Sequence, residues 1–281
     1  MTQNTTATSS HISIRQLLIP FIGLVLVYLP ALFDLVKDWW EDPNYSHGFL
    51  IPIVSIALIW KRKDTLGDIP QSTDRRGLVL LLFSIVLFVV ANGSAEYFTL
   101  RFSFVLALFG LTLYLLGSKI TRAVWFPLFF LLFMIPIPYV IYYAITFPMQ
   151  TLATKITVVV LNTIGMNAVR QGNIIHITEH TLEVAEACSG IRSLVSLLAL
   201  SAIYAYTSQK RFIAQAFLFL LTIPIAIAGN VFRVLVTAVV VAVISEQVTE
   251  EPFHSIMGLL VFVVAFILLF ICGFILRKVF K

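Results

Sequence analysis

Three side chains can take part in covalent chemistry and sit where plain apolar packing would not put them. Cys188 lies at the mouth of an apolar run, where the polar, acidic "LEVAEA" passes into "CSGIRSLVSLLAL". A cysteine that only fills space usually lies inside such a run, as Cys272 does in "LLFICGFIL". Arg233 is embedded in "IAIAGNVFRVLVTAVVVAV", where a cation costs about 2.5–3.5 kcal/mol or more and calls for a polar cavity or a partner. Asn230, one helical turn earlier, shares its face. His254 opens the last apolar run in "EEPFHSIMG". A nucleophile, a cation and a base are what acyl transfer through a thioester requires.

Each residue also has a plainer reading, and only their convergence favours chemistry. A lone cysteine near a membrane helix end is commonly inert, an arginine can snorkel to the interface, and a histidine at a span boundary can be an interfacial polar group. A helix N-terminus would favour the Cys188 thiolate, while Glu183 and Glu186 oppose it, so the sign of its shift stays open. Ser189 and Arg192 lie beside the same position; a helix cap and a headgroup-level snorkel account for them at least as well as catalysis. With Cys188 and Cys272 as the only cysteines, a zinc site built on cysteines is excluded, and no metal or cofactor is expected.

The elements that must position these groups are membrane helices. The chain has 281 residues, 59% of them hydrophobic and 12% charged, with a mean hydropathy of +0.98. Several apolar runs approach the roughly 20 residues that cross about 30 Å of hydrocarbon. The expectation is an all-α, polytopic membrane bundle of about eight helices, forming a single integral-membrane domain over residues 1–281 with no appended soluble domain. Spans are expected near 15–33, 47–60, 77–95, 98–116, 122–141, 188–207, 212–245 and 254–276. The first is read as retained, because no small-residue cleavage site follows it. Residues 144–164 are mixed, with Gln150, Lys155 and several threonines, and are expected along the outer interface. Residues 212–245 are long enough to cross twice but are expected to cross once, with Pro224 and Gly229 permitting a broken or re-entrant helix.

Charge then orients the bundle. The net charge of +5 sits in short clusters beside apolar segments, as in "KRK" at Lys61 to Lys63 and "DRR" at Asp74 to Arg76. That pattern reports membrane orientation and not a nucleic-acid partner. Alternating spans put Lys61–Lys63, Arg75, Arg76, Lys119, Arg122, Lys210, Arg211 and the "RKVFK" tail on one face, the cytoplasmic one. The acidic "DLVKDWWEDPNYSHG" and "SEQVTEEPFHS" fall on the other face, with the loop from Gly165 to Ala187, so Cys188 and His254 face outward. Cys188 and Cys272 then lie at opposite faces, where a disulfide between them is not expected. The strand-like pieces "QGNIIHIT" and "TLEVAEA", on either side of the turn "TEH", predict a short outer hairpin leading into Cys188.

The runs "AEACSGIRSL", "GNVFRVLVTA" and "FHSIMG", with the earlier "DPNYSHGFLIP" and "MIPIP", resemble the exosortases, integral-membrane cysteine transpeptidases or proteases analogous to sortases on an unrelated fold. The resemblance implies that Cys188 is the nucleophile, Arg233 the arginine and His254 the histidine of the family's invariant trio. It implies substrates ending in a PEP-CTERM signal, namely a Pro-Glu-Pro motif, a membrane helix and a basic tail, in bacteria that make exopolysaccharide. It places the enzyme in the inner membrane with its site facing the periplasm, among membrane lipid, passing the acyl group to water or to an unknown amine acceptor. Two other readings fit parts of the pattern. A rhomboid-like serine protease would use Ser189 with His254, and a transporter would use Arg233 as a counter-charge beside a midplane break at Pro224 to Gly229.

Overall fold

The apolar runs fold as helices, and proline, glycine and buried polar side chains decide where those helices bend, stop or turn a face inward. The computed structural model describes residues 14–177, 180–184, 190–244 and 253–280, with the side chains of these except 14–17 and 253–255. The chain divides into two compact units, residues 1–137 and 138–281. Among the described residues six helices are long and apolar enough to cross a membrane, or seven if one bent pair is a single span. The all-α polytopic bundle holds, with fewer crossings than the expected eight or so.

In the first unit the expected span 15–33 is two helices, α1 (Ile14–Val27) and α2 (Leu29–Glu41), bent by 67° at Tyr28. Pro30 lies in the first turn of α2, where its missing N–H breaks the hydrogen-bond ladder running out of α1. A 3-10 turn over Pro43–Phe49 leads into α3 (Leu50–Trp60) and the short α4 (Lys63–Gly67). With 11 residues, α3 is about 17 Å long, so the expected span 47–60 does not cross by itself. Next come α5 (Arg75–Gly93) and α6 (Tyr97–Ala123). The face α5 buries is made of Gly77, Ser84 and Ala91, and a Cβ added at Gly77 would run into the backbone of Tyr114 on α6. Small residues at that spacing let two membrane helices approach backbone to backbone.

The expected span 122–141 is not a helix of that length. It holds α7 (Trp125–Phe130), a 3-10 turn over Leu131–Met134, and an extended exit at Ile135, with Pro136 and Pro138 preventing any continuation. The two early motifs meet here. Trp39 Nε1 donates to the Met134 carbonyl at 2.8 Å, His47 Nε2 to that of Phe133 at 3.2 Å, and Ser55 Oγ to that of Pro127 at 2.6 Å. His47 of "DPNYSHGFLIP", with Trp39 before that motif and Ser55 after it, thus braces the stretch leading into "MIPIP".

The second unit runs α8 (Tyr139–Thr163), β1 (Ala168–Gln171), β2 (Ile174–Ile177), β3 (His180–Glu183), α9 (Ile191–Ser208), α10 (Phe212–Val243) and α11 (Phe253–Val279). The expectation that 144–164 lies along the interface does not hold, since α8 is one 25-residue helix, about 37 Å long, apolar enough to cross. Its threonines and Gln150 made the segment look mixed, yet Thr146, Gln150, Thr154 and Thr157 form one buried face with Met149, Ala153 and Leu161. Lys155 points away and is exposed. The expected hairpin is present as β2 and β3, paired Ile174 to Glu183 and Ile177 to His180. It gains β1, because Gly172, at φ +65°, turns the chain inside "QGN". Residues 178–179 of the turn and Ala185 to Ala187 of the second arm lie outside the described residues.

Three core layers give the direction of the helices. Ile175, Ile177, Leu182 and Val184 of the sheet segment pack with Leu161 of α8 and Val234, Ala238 and Val241 of α10. The middle layer joins Met149, Leu194, Ala226 and Ala265, and the far layer Ala205, Leu218, Leu269 and Leu276. So α8 and α10 run toward the sheet, and α9 and α11 away from it. α10 is continuous over 32 residues through Pro224, which bears out one crossing and removes the midplane break that the transporter reading needs.

Candidate active site

Arg233 projects from α10 just below the sheet layer, one residue before Val234, and is buried at 8% exposure. From Arg233 to the end of α10 at Val243 is ten residues, about 15 Å, so the guanidinium's anchor lies well inside the bundle. Its destination is read from a glycine. A Cβ placed on Gly258 of α11 would sit 3.5 Å from the Arg233 Cζ and 3.6 and 3.7 Å from its two Nη atoms. The guanidinium therefore lies against α11 where that helix has no side chain. Gly258 is four residues after His254 in the same helix, so His254 occupies the next turn on the same face, toward the helix N-terminus. The His254 side chain lies outside those described.

Asn230, one turn before Arg233, is buried at 5% exposure and faces the start of α9. Gly190, the residue before α9, has φ +79°, and a Cβ there would come within 2.5 Å of Asn230 Cγ. Both the left-handed backbone and the amide beneath it require glycine. Cys188 and Ser189 lie outside the described residues, and the described residues on either side, Val184 and Gly190, each have fixed partners. Val184 is buried and donates its N–H to the Asn173 carbonyl at 3.0 Å, while the Asn173 side-chain amide donates to the Val184 carbonyl at 3.2 Å. Gly190 rests on Asn230.

This anchoring sets up a test. Gly190→Ala is expected to destabilise the protein by about 1–2 kcal/mol from the left-handed backbone alone, with the collision on Asn230 added. Gly190→Ala combined with Asn230→Ala removes the collisions with the amide and keeps the backbone cost and the close approach to the Cβ of residue 230, at 2.8 Å, so it should recover part of the loss and not all, measured by thermal unfolding in detergent.

A cavity of about 10 Å³ lies among Ser193, Leu197, Ala226, Asn230, Arg233 and Val261, among others, room for about one water. Arg192, in the first turn of α9, is exposed, unlike Arg233. Cys272 packs in the far layer with Leu218 and Leu269. Among the described residues no group of three His, Cys, Asp or Glu side chains is placed to hold a metal ion. Helical spacing puts Asn230 on the face of Arg233, whereas nothing in local pattern singles out Gly190 or Gly258. They stand two residues after Cys188 and four after His254.

The segments meeting around Arg233 are the three runs singled out in the sequence, and the family model described as Transmembrane exosortase (Exosortase_EpsH) matches residues 39–271, a stretch that contains all of them. The chain belongs to the transmembrane exosortase family. No curated protein and no solved structure matches it. As an exosortase it is a multi-pass membrane protein. The family match starts at Trp39, the residue that braces Met134, and ends at Ile271, beside Cys272.

Proposed function

We propose that this exosortase is a membrane-embedded cysteine peptidase or transpeptidase that cleaves the C-terminal PEP-CTERM signal of exported proteins through a thioester at Cys188, at the periplasmic face of the inner membrane. The observation that carries the proposal is the arrangement around α10. Arg233 lies on Gly258 one turn from His254, and Asn230 lies under Gly190, two residues from Cys188. Covalent geometry alone keeps the Cys188 Cα within about 7 Å of the Gly190 Cα. Cys188 attacks the scissile carbonyl as thiolate. His254 holds the thiol proton and delivers it to the leaving amine as the tetrahedral intermediate collapses to a thioester. The buried guanidinium of Arg233 stabilises the oxyanion. Water or an amine acceptor then breaks the thioester and returns the thiolate.

Orientation follows from charge within the second unit. Lys210, Arg211, Arg277 and Lys278 lie at the ends of α9 and α11 away from the sheet, and the positive-inside rule makes that end cytoplasmic. The sheet, the α9 entrance and His254 then belong outside, where a substrate helix with a cytoplasmic basic tail presents its motif. Hydroxylamine should capture the acyl group as a hydroxamate at the new C-terminus of a PEP-CTERM substrate, identified by mass spectrometry. Processing that is normal and never yields hydroxamate rejects the thioester.

A separate expectation concerns sidedness. Cys188 should react with a membrane-impermeant maleimide in spheroplasts, whereas a cysteine substituted for the exposed Thr65 of α4 should react only after permeabilisation. The reverse pattern inverts the orientation and removes the mechanism with it.

A further inference from the structure

The first unit contains a cleft of about 660 Å³ that the proposed chemistry does not use. Along α6 it is lined by Phe104, Leu108, Thr112 and Leu116, one residue every four on one helix face, and by Ile120 beyond the break at Gly117, at φ +84°. From Phe104 to Leu116 that face is about 18 Å long. Thr112, the one polar member, turns its hydroxyl back to the Leu108 carbonyl at 2.7 Å and offers the cleft little polarity. The occupant must be apolar and long. A hydrocarbon chain fits.

The two ends of the cleft differ in charge. Trp39 and Met134 close one end and hydrogen-bond to each other, beside Asp38, Glu41 and Asp42, with the Asp38 carboxylate already holding Arg101 at 2.7 Å. Leu66 and Gln71 close the other. The segment that carries them is tied to the end of α6 by the Ser72 N–H on the Leu116 carbonyl and the Asp74 N–H on that of Tyr114, at 3.4 and 3.3 Å. Arg62 Nη1 adds a bond to the Ala123 carbonyl at 2.9 Å. This end gathers exposed Lys61, Arg62, Lys63, Arg75, Arg76, Lys119 and Arg122 against three acids, Asp64, Asp68 and Asp74. Asp74 spends a carboxylate oxygen capping the Arg76 N–H. An apolar slot that opens on excess positive charge at one end only is complementary to an amphiphile with one anionic head.

We propose that this cleft binds an anionic phospholipid, with one acyl chain along α6, its methyl end toward Trp39, and its phosphate among Lys61–Lys63 and Lys119. The test offers the detergent-purified protein an equimolar mixture of phosphatidylglycerol and phosphatidylcholine and counts retained lipid by native mass spectrometry. One phosphatidylglycerol per chain should be retained, with a preference of about tenfold. Leu108→Trp should abolish retention, and the combined Lys61→Gln, Lys63→Gln and Lys119→Gln should keep a bound lipid but lower the preference to about twofold or less. If Leu108→Trp does not insert, the unfilled cleft still decides. In a chain with Trp40, Trp60 and Trp125 changed to Phe, the buried Trp39 should be quenched by phosphatidylglycerol brominated near the methyl end of its chains, and several-fold less by the matching phosphatidylcholine. Equal quenching by both lipids, no quenching by either, or retention unchanged in a folded Leu108→Trp protein overturns the proposal. So does displacement of the lipid, mole for mole, by a hydrophobic transmembrane peptide, which would make the cleft a helix groove.

Discussion

Cys188→Ala is expected to leave PEP-CTERM substrate at full length, while Cys272→Ala should process it at close to the unsubstituted rate. The contrast follows from what each thiol does. Removing an essential nucleophile costs on the order of 10⁴-fold to 10⁶-fold in rate, beyond what a gel of processed and unprocessed substrate can register as residual activity. Cys188→Ser should fail similarly, because a serine hydroxyl carries no appreciable alkoxide near neutral pH, whereas a thiol carries a usable thiolate fraction. Cys272 packs with Leu218 and Leu269 in the layer farthest from the sheet. It is 18 residues, about 27 Å of helix, from His254, so its truncation costs about 1 kcal/mol of packing and no chemistry. Ser189→Ala separates the thioester from the rhomboid-like reading. It should retain substantial activity, and complete loss in Ser189→Ala with Cys188→Ala still active would transfer the nucleophile to the serine. Equal losses from Cys188→Ala and Cys272→Ala would mean that both act through folding.

Three spans whose apolar runs contain no proline could be read closely from sequence. Residues 77–95, 188–207 and 254–276 became α5, α9 and α11 with ends shifted by a few residues. Elsewhere apolar content alone is a poor guide to a span. In 122–141 the run is apolar throughout, but Pro136 and Pro138 deny it a ladder, and the backbone bonds to Trp39 and His47 instead. In 144–164 composition misled in the other direction. Thr146, Gln150, Thr154 and Thr157 are spaced at three and four residues, a helical face that could have been recognised by period. The bend at Tyr28 depends on more than Pro30, since the buried hydroxyl of Tyr28 is held by Ser103, 75 residues away. The candidate site can be named in the sequence only as residue types. Its closeness cannot be read there, because no local pattern reveals that Gly258 leaves room for the Arg233 guanidinium or that Gly190 rests on Asn230.

Arg233→Lys should be expressed and inserted at normal levels and lose about 100-fold to 1,000-fold in processing rate, the usual cost of an oxyanion donor. A membrane anchor needs charge and reach, and lysine supplies both by snorkelling. The position of Arg233 makes different demands. Its Cζ and both Nη atoms pack within 3.5–3.7 Å of the Gly258 Cβ direction, so a planar group is laid flat on a helix that has been left bare for it. A lysine at this depth presents one ammonium on a flexible stem. It cannot fill the flat space and cannot direct two fixed donors at one oxyanion. The loss should appear in kcat, since an oxyanion exists only along the reaction path. Arg192→Lys is the control, because that side chain is exposed on the first turn of α9 and is free to re-aim; its rate should stay within about twofold of the unsubstituted enzyme. A near-normal rate in Arg233→Lys would make the arginine a structural cation, and the reacting site would then reduce to Cys188 and His254.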